Sequence, residues 1–402
     1  MADEKKTFNI FVTGGSESVG LATVKALLAN GHTVVATATD ADGALAIRRA
    51  GALPVYPNLT REGEILSALR MADVDIVVHC APQGFGGIPQ SDFDYAGHTE
   101  WLVETTNTVV AAAGKNEVEK IVSVSFGYLQ DVEMRDSDYA PMLKAESAVL
   151  DGGIDGYVVR AGYIYGGDNY GTKMVGDELK NTRAIHKGTH NASWIHEEDL
   201  ANAIVALVEA ESDGDTLAEI VNVADDTPQS PNDFATALGA VLGFQTVNFA
   251  SPGFMTMLRG ETMRDKLLKR EVVLDTSVIK DKYGWSAKHP TTETGFDVTT
   301  LAWRMEEATD HNAFHTEYED KATEAIEALK SGAPAEALPE EVEEAKPEPK
   351  QEEAKPAQAA KPAAPPPSDG PAPWNEDEAK REERRRRALE RKKKRAERAA
   401  GG

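Results

Sequence analysis

From Phe8 to about Val223 the chain alternates short apolar runs with amphipathic stretches. The runs Phe8–Thr13, Thr33–Ala38, Leu53–Tyr56, Ile76–His79, Ile121–Val124 and Tyr157–Arg160 are rich in Val and Ile. Each is bounded by Gly, Pro, Asp or Asn, which predicts strands buried on both faces rather than half-solvated ones. Between them Val19–Ala29, Gly43–Ala50, Glu62–Met71, Thr99–Ala113 and Pro141–Leu150 carry helical periodicity. Strands alternating with helices of this length require right-handed crossovers. The expected fold is therefore α/β, with a doubly wound parallel sheet.

After Arg160 the texture changes. Asp168–Lys187 is polar, Gly-rich and poorly periodic, whereas Asp199–Glu211 predicts an amphipathic helix and Glu219–Val223 a further strand. Ser230–Leu242 predicts a helix capped by Ser230 with Pro231 at its first position. Residues 252–330 read mostly as helix. This material, interleaved with the sheet, predicts a smaller, mostly helical substrate-side region over 166–330, closing over the sheet's carboxyl edge. Residues 331–373 hold 11 of the 20 prolines with Ala, Glu and Lys, too little apolar surface to offset ordering entropy, so a disordered linker is expected. Residues 374–402 form a charged, basic C-terminal segment with no apolar face for docking.

Charge refines this division. Lys380–Arg398 holds 12 Lys/Arg against 4 Glu, a local +8, so the rest of the chain carries −32 of the total −24. An acidic body disfavours nucleic acid as its main ligand. The basic tail suits an anionic partner or surface, a solvated helix, or the acidic body itself. One cysteine in 402 residues excludes a disulfide framework, and no Cys/His cluster has metal-ligand spacing, so no metal is expected. No run approaches about 18 apolar residues, which argues against a transmembrane segment. The first six residues are unlike a signal peptide. A cytoplasmic location is the expectation.

The chemistry begins where Phe8–Val12 runs into Thr13-Gly14-Gly15-Ser16-Glu17-Ser18-Val19-Gly20 and a helix starts near Ser18. Glycine is wanted where a tight turn lets pyrophosphate approach the backbone and rest on the free N–H groups of a helix. Asn58-Leu59 after the third strand and Cys80-Ala81-Pro82 after the fourth fall where such folds wrap a nucleotide; Cys80 is also simply read as a core residue. Residues 1–165 are thus expected to form a Rossmann-type NAD(P)-binding domain.

Several segments in order resemble an extended or atypical short-chain dehydrogenase/reductase, the NAD-dependent epimerase/dehydratase family. The likeness covers roughly residues 7–305. Asp73–Ala81 resembles the family's fourth strand. Val158–Gly166 is similar to its Arg-Pro-Gly-x-x-Tyr-Gly segment, and Trp194–Ala201 to the stretch that opens a late helix. Glu219–Ala224 and Tyr283-Gly284-Trp285 have counterparts too. The glycine pattern departs from the family's. In Thr-Gly-x-x-Gly-x-x-Gly the middle glycine falls on Glu17, and in the shorter enzymes' pattern the missing one falls on Ser18. A carboxylate at Glu17 would repel phosphate, and the Ser16 and Ser18 hydroxyls would offset this as donors.

The resemblance implies a Tyr-x-x-x-Lys pair, the phenol exchanging a proton with substrate and the ammonium holding the nicotinamide ribose and lowering the phenol's pKa. Lys144-Ala145-Glu146 resembles that region, but four residues before Lys144 stands Ala140. Tyr139 lies five before, about 100° further round a continuous helix. Pro141 predicts a helix start there, leaving Tyr139 just outside and able to swing in, or an ordinary loop tyrosine. The expected catalytic residues are Tyr139, Lys144 and Ser125, with Tyr128 an alternative phenol. The expected cofactor residues are Thr13, Gly14, Gly15, Ser16, Ser18, Val19, Gly20, Asp40, Asn58, Leu59, Cys80, Ala81, Pro82 and Lys144. Asp40 favours NAD over NADP by repelling a 2′-phosphate, while Arg48 and Arg49 would favour NADP. Arg160, His196 and Asp199 are expected to support the substrate-side loops and helix caps.

Two functions follow as expectations. One is an NAD(P)-dependent epimerase, dehydratase or reductase acting on a small-molecule substrate with hydroxyl or carbonyl chemistry, such as a nucleotide-sugar. The other is a catalytically impaired dinucleotide-binding sensor or scaffold subunit, like NmrA-type regulators or a complex I accessory subunit, recruiting partners through its tail. The resemblance also implies homodimer pairing through the helices around Thr99–Ala113 and Pro141–Leu150.

Overall fold

The apolar runs form β1 (Asn9–Thr13), β2 (Thr33–Thr37), β3 (Leu53–Val55), β4 (Ile76–His79), β5 (Lys120–Phe126) and β6 (Asp155–Ala161). With β10 (Ala218–Val223) they make one seven-stranded sheet in the order β10-β6-β5-β4-β1-β2-β3, every pair parallel. The chain winds outward from β1 through β3 and then returns to β4 on the other side. The crevice where strand order reverses therefore opens at the carboxyl ends of β1 and β4, the place where such sheets bind ligands. The computed structural model describes residues 6–80, 95–136, 138–181, 184–211, 218–250 and 262–305. Ala81, Pro82, the linker 331–373 and the segment 374–402 lie outside these residues.

Strand alternation sorts two helical layers. Ile10 and Val12 point into a core with Val24 and Leu27 of α1 (Ser18–Ala29), Ile47 of α2 (Ala41–Ala50), and Leu200 and Ile204 of α7 (Glu197–Glu209). Phe11, between them, points the other way. It meets Ile65 and Leu69 of α3 (Glu62–Met71), Val109 of α4 (Tyr95–Lys115) and Val149 of α5 (Ala140–Leu150). One polar tie spans the first layer. The buried Lys120 ammonium donates to the carbonyls of Leu207, Val208 and Ala210 at 2.7–3.0 Å, satisfying the free C-terminal end of α7.

Beyond β6 a second core gathers β7 (Tyr163–Tyr165), α6 (Tyr170–Lys180), β8 (Ile185–His186), β9 (Trp194–His196) and α8 (Pro231–Val241). Two further strand residues, β11 (Phe249–Ala250), pair with β8. The helices α9 (Met263–Leu268), α10 (Ser277–Asp281) and α11 (292–305) complete the described chain. Trp194 stacks on Phe234 at 4.0 Å between ring centres, with Tyr165 and Phe296 edge-on to Phe234. The expected cap of α8 is present, Ser230 accepting from the Asp233 amide. The unpromising stretch Asp168–Lys187 contains α6 and β8. The helix is amphipathic but poor in apolar residues, because glycine fills part of its buried face, where Gly176 packs directly under the Trp303 ring.

Candidate cofactor and active site

The glycine turn has the shape its sequence calls for. Gly14 adopts φ 65°, and a Cβ on Gly20 would lie 1.9 Å from the Gly14 carbonyl oxygen, so α1 approaches its own turn as only glycine permits. Gly15 is also held close, since a Cβ there would lie 2.6 Å from that of Ala36 in β2, and Val19 is buried in the sheet core. Thr13, at the end of β1, is fully buried and hydrogen-bonds His79 Nδ1 across the crevice at 2.7 Å. Burial holds His79 low, at about 4, and pushes the adjacent Cys80 thiol up to about 12. Neither is a reactive group at neutral pH.

Residues at the turn fit a dinucleotide. The Ser16 hydroxyl oxygen is buried beside Gly43 in the first turn of α2 and has no hydrogen-bond partner among the described residues. Ser18 is different: its hydroxyl donates to Glu197 of α7 at 2.5 Å. Glu17 is exposed at its surface yet crowded enough that desolvation, with the Asp40 charge second, raises its carboxyl. Asp40 caps α2 by accepting from the Gly43 amide at 2.7 Å and remains exposed at the end of β2. Arg48 and Arg49 are exposed in the last turn of α2, roughly 12 Å along the helix from Asp40. Asn58 turns its oxygen to the Thr60 amide and hydroxyl, and Leu59 packs half-buried on the core beneath.

The expected catalytic residues occupy distinct surroundings. Tyr139 is the N-cap of α5, buried beside the Tyr128 ring at 6.3 Å, with the Arg270 guanidinium 5.7 Å from its ring centre. Burial raises its phenol, and the charge and hydrogen bond of Arg270 act in the opposite direction. Lys144 is exposed on α5 and shares no hydrogen bond with Tyr139; the residue one turn after Tyr139 is the buried Leu143. Ser125, buried at the end of β5, donates to Glu146 at 2.6 Å, and Glu146 is held two-pronged by Arg160 at 2.9 and 2.6 Å. Tyr128 directs its hydroxyl to the Met142 sulfur.

Other residues join the site without having been singled out in the sequence. Arg270 also donates to the Gln130 carbonyl, and Lys266 of α9 pairs with Asp138, so α9 and its sequel close over the start of α5. Arg264 of the same helix is buried, its side chain 9% exposed, and only one guanidinium nitrogen is used, on Asp265 at 3.1 Å. Its Nε and Nη1 are buried without partners among the described residues. A local-sequence reading had no signal for this, because α9 is short and its partners come from distant segments.

His196 caps α7, accepting from the Glu198 amide, and Asp199 accepts the Lys288 and His289 amides at 2.8 Å. Arg160, His196 and Asp199 thus hold elements together. His196, Glu198 and His289 bring one possible ligand atom each within 4.8 Å of one another. His196 spends Nδ1 on its cap and faces Thr299 with Nε2, and burial holds it neutral, at about 3, so the cap explains the cluster.

Residues 14–211 match the model of a family described as NAD(P)H-binding. Among solved structures, UDP-glucose 4-epimerase from Thermotoga maritima with UDP-glucose is 19% identical with a TM-score of 0.60, covering 74% of this chain and 99% of that one. The Bordetella bronchiseptica enzyme WbmH with NAD+ is 16% identical at a TM-score of 0.58, covering 75% and 99%. UDP-glucose 4-epimerase from Thermus thermophilus with NAD is 18% identical at 0.57, covering 74% and 99%. At these identities the likeness is one of fold. A comparison with curated protein sequences gives no match. Residues 14–211 thus resemble an NAD(P)H-binding domain, and the chain shares its fold with these epimerase structures. Among the described residues no helix is long and apolar enough to cross a membrane.

Proposed function

We propose that the protein is an NAD-dependent enzyme of the epimerase, dehydratase or reductase kind, acting on a hydroxyl or carbonyl substrate that carries phosphate, a nucleotide-sugar first of all. The substrate half rests on Arg264. A buried guanidinium with two donors unpartnered among the described residues costs roughly several kcal/mol of unmet solvation unless an anion meets it, and the planar fork matches phosphate. Arg264 lies near His186 of β8, about 200° round α9 from Lys266, so the anion pocket is defined by Arg264 and not by the contact of Lys266 with Asp138. The UDP-glucose bound to the Thermotoga epimerase is a compound of this chemistry.

Bound dinucleotide supplies a hydride donor or acceptor at its nicotinamide. The chain's own residues do the rest. Ser16 and the free amides at the head of α1 receive phosphate, and Asp40 faces the adenosine ribose, where its charge and that of Glu17 disfavour a 2′-phosphate. Arg48 and Arg49 are too far along α2 to reverse that. Tyr139 exchanges a proton with the substrate oxygen, with Arg270 as the cation that favours its phenolate. Ser125, committed to Glu146, positions α5 on the sheet.

Incubation with NAD+ and a panel of UDP-hexoses, read by NMR at the sugar C4 and by nicotinamide absorbance, tests this reading. Epimerised sugar or reduced nicotinamide supports it; inert sugars across the panel, with dinucleotide bound, contradict it.

A further inference from the structure

Glu197 is an unusual occupant of its place. It is the first residue of α7, 7% exposed, and its carboxylate fills the space beside Gly166, where a Cβ would come within 2.2–2.5 Å of it. One oxygen accepts the Ser18 hydroxyl at 2.5 Å, and the other accepts the Asp168 amide at 3.1 Å. Ser18 is the first residue of α1, whose free amides form the phosphate end of the dinucleotide site. Asp168 belongs to the loop between β7 and α6. A single buried carboxyl therefore ties the glycine turn to the substrate-side loop.

We propose that Glu197 is a positioning residue for the dinucleotide: it holds the head of α1 through Ser18, and its charge state sets how tightly that helix end accepts phosphate. The proposal rests on the dinucleotide reading of the glycine turn. The physical ground is electrostatic. A carboxylate next to the first residue of α1 opposes the favourable field that the helix end offers an anion, whereas the neutral acid leaves that field intact and keeps both hydrogen bonds.

The surroundings set when this change occurs. Burial raises the Glu197 carboxyl to about 7, the bonds from Ser18 and Asp168 pull it down, and the charges of Asp168 and Glu198 push it up. Lys25 of α1 and Lys288 line the same cleft of about 360 Å³, and Lys173 pairs with Asp168. His196, next in sequence, stays neutral. Thr299 of α11 brings no charge. Bound phosphate favours the protonated acid, so binding takes up part of a proton. By linkage, affinity falls as pH rises through about 7.

The test is the dissociation constant of NAD+ for the full-length protein between pH 6 and pH 8.5, for wild type, Glu197→Gln and Ser18→Ala. Wild type should weaken by about threefold or more across that range. Glu197→Gln should match wild type at pH 6 and stay flat. Ser18→Ala, losing a donor that favours the charged form, should weaken with a midpoint at higher pH. A pure packing role would move affinity without moving the pH profile. Binding with the same pH dependence in wild type and Glu197→Gln overturns this proposal alone. Absence of binding to all three proteins at every pH overturns the dinucleotide reading and this proposal with it.

Discussion

Ser125 donates its hydroxyl to Glu146 at 2.6 Å, and the same carboxylate closes a two-pronged ion pair with Arg160. Ser125 and Arg160 are direct neighbours across the β5–β6 register, so one helix residue clamps α5 onto two strands. Glu146→Ala would leave the Arg160 side chain, 14% exposed, without its counter-charge. The expected loss is about 3–5 kcal/mol in urea unfolding, against about 1–2 kcal/mol for Ser125→Ala, which leaves the ion pair standing. A Glu146→Ala loss below about 1 kcal/mol would contradict the clamp.

Tyr139 and Lys144 should separate in kinetics. Tyr139→Phe removes the proton carrier and is expected to lower kcat by about 10²- to 10⁴-fold with KM little changed. Lys144→Ala should stay within about threefold of wild type, because the ammonium is exposed and unbonded to the phenol. Since burial raises Tyr139 and Arg270 opposes that rise, turnover should increase with pH above neutrality, and Arg270→Met should move the profile to higher pH. A Lys144→Ala loss as large as that of Tyr139→Phe would restore the lysine to the centre of the reaction.

Arg264 should act on binding rather than on chemistry. Arg264→Met is expected to raise KM for a phosphate-bearing substrate by roughly 10- to 100-fold while leaving dinucleotide affinity unchanged. The variant removes a buried cation but leaves Asp265, 3% exposed, without its ion-pair partner, so its stability should fall in urea unfolding while dinucleotide binding persists. An unchanged KM would remove the anion from this pocket.

His79 makes stability depend on pH. Its imidazole is buried between Thr13 and Thr106 and falls to about 4 from an ordinary 6.5, so below pH 6.5 the unfolded chain binds a proton that the folded one refuses. Stability should fall as pH drops from 6.5 towards 4, by up to about 3 kcal/mol from this residue. His79→Gln should flatten that part of the profile, measured by urea midpoints. A variant as acid-sensitive as wild type over this range would assign the loss elsewhere.

The sheet was legible because its strands are continuous apolar runs and its helices have period-3.6 faces, signals that survive without tertiary context. The cap of α8 was legible for the same reason: Ser230 and Pro231 act within one turn. Helix α6 was hidden because glycines share its buried face. The glycine turn could be read, but the fate of its hydroxyls could not. Ser18 is claimed by a glutamate 179 residues away, while Ser16, two positions earlier, has no hydrogen-bond partner among the described residues. Lys266 and Arg270 matter because the chain from α9 onward folds back on Asp138 and Tyr139, a contact no local pattern encodes. Likewise His196 and His289 meet only in space.

The central claim is a dinucleotide site at the head of α1 that prefers NAD to NADP. Titration of the full-length protein with NAD+ and NADP+ by calorimetry tests it most directly. Saturable 1:1 binding of NAD+ is expected, weakened by Ser16→Val, with NADP+ at least about tenfold weaker because Asp40 and Glu17 face the 2′-phosphate position. Failure of both to bind, or tighter binding of NADP+, would contradict it.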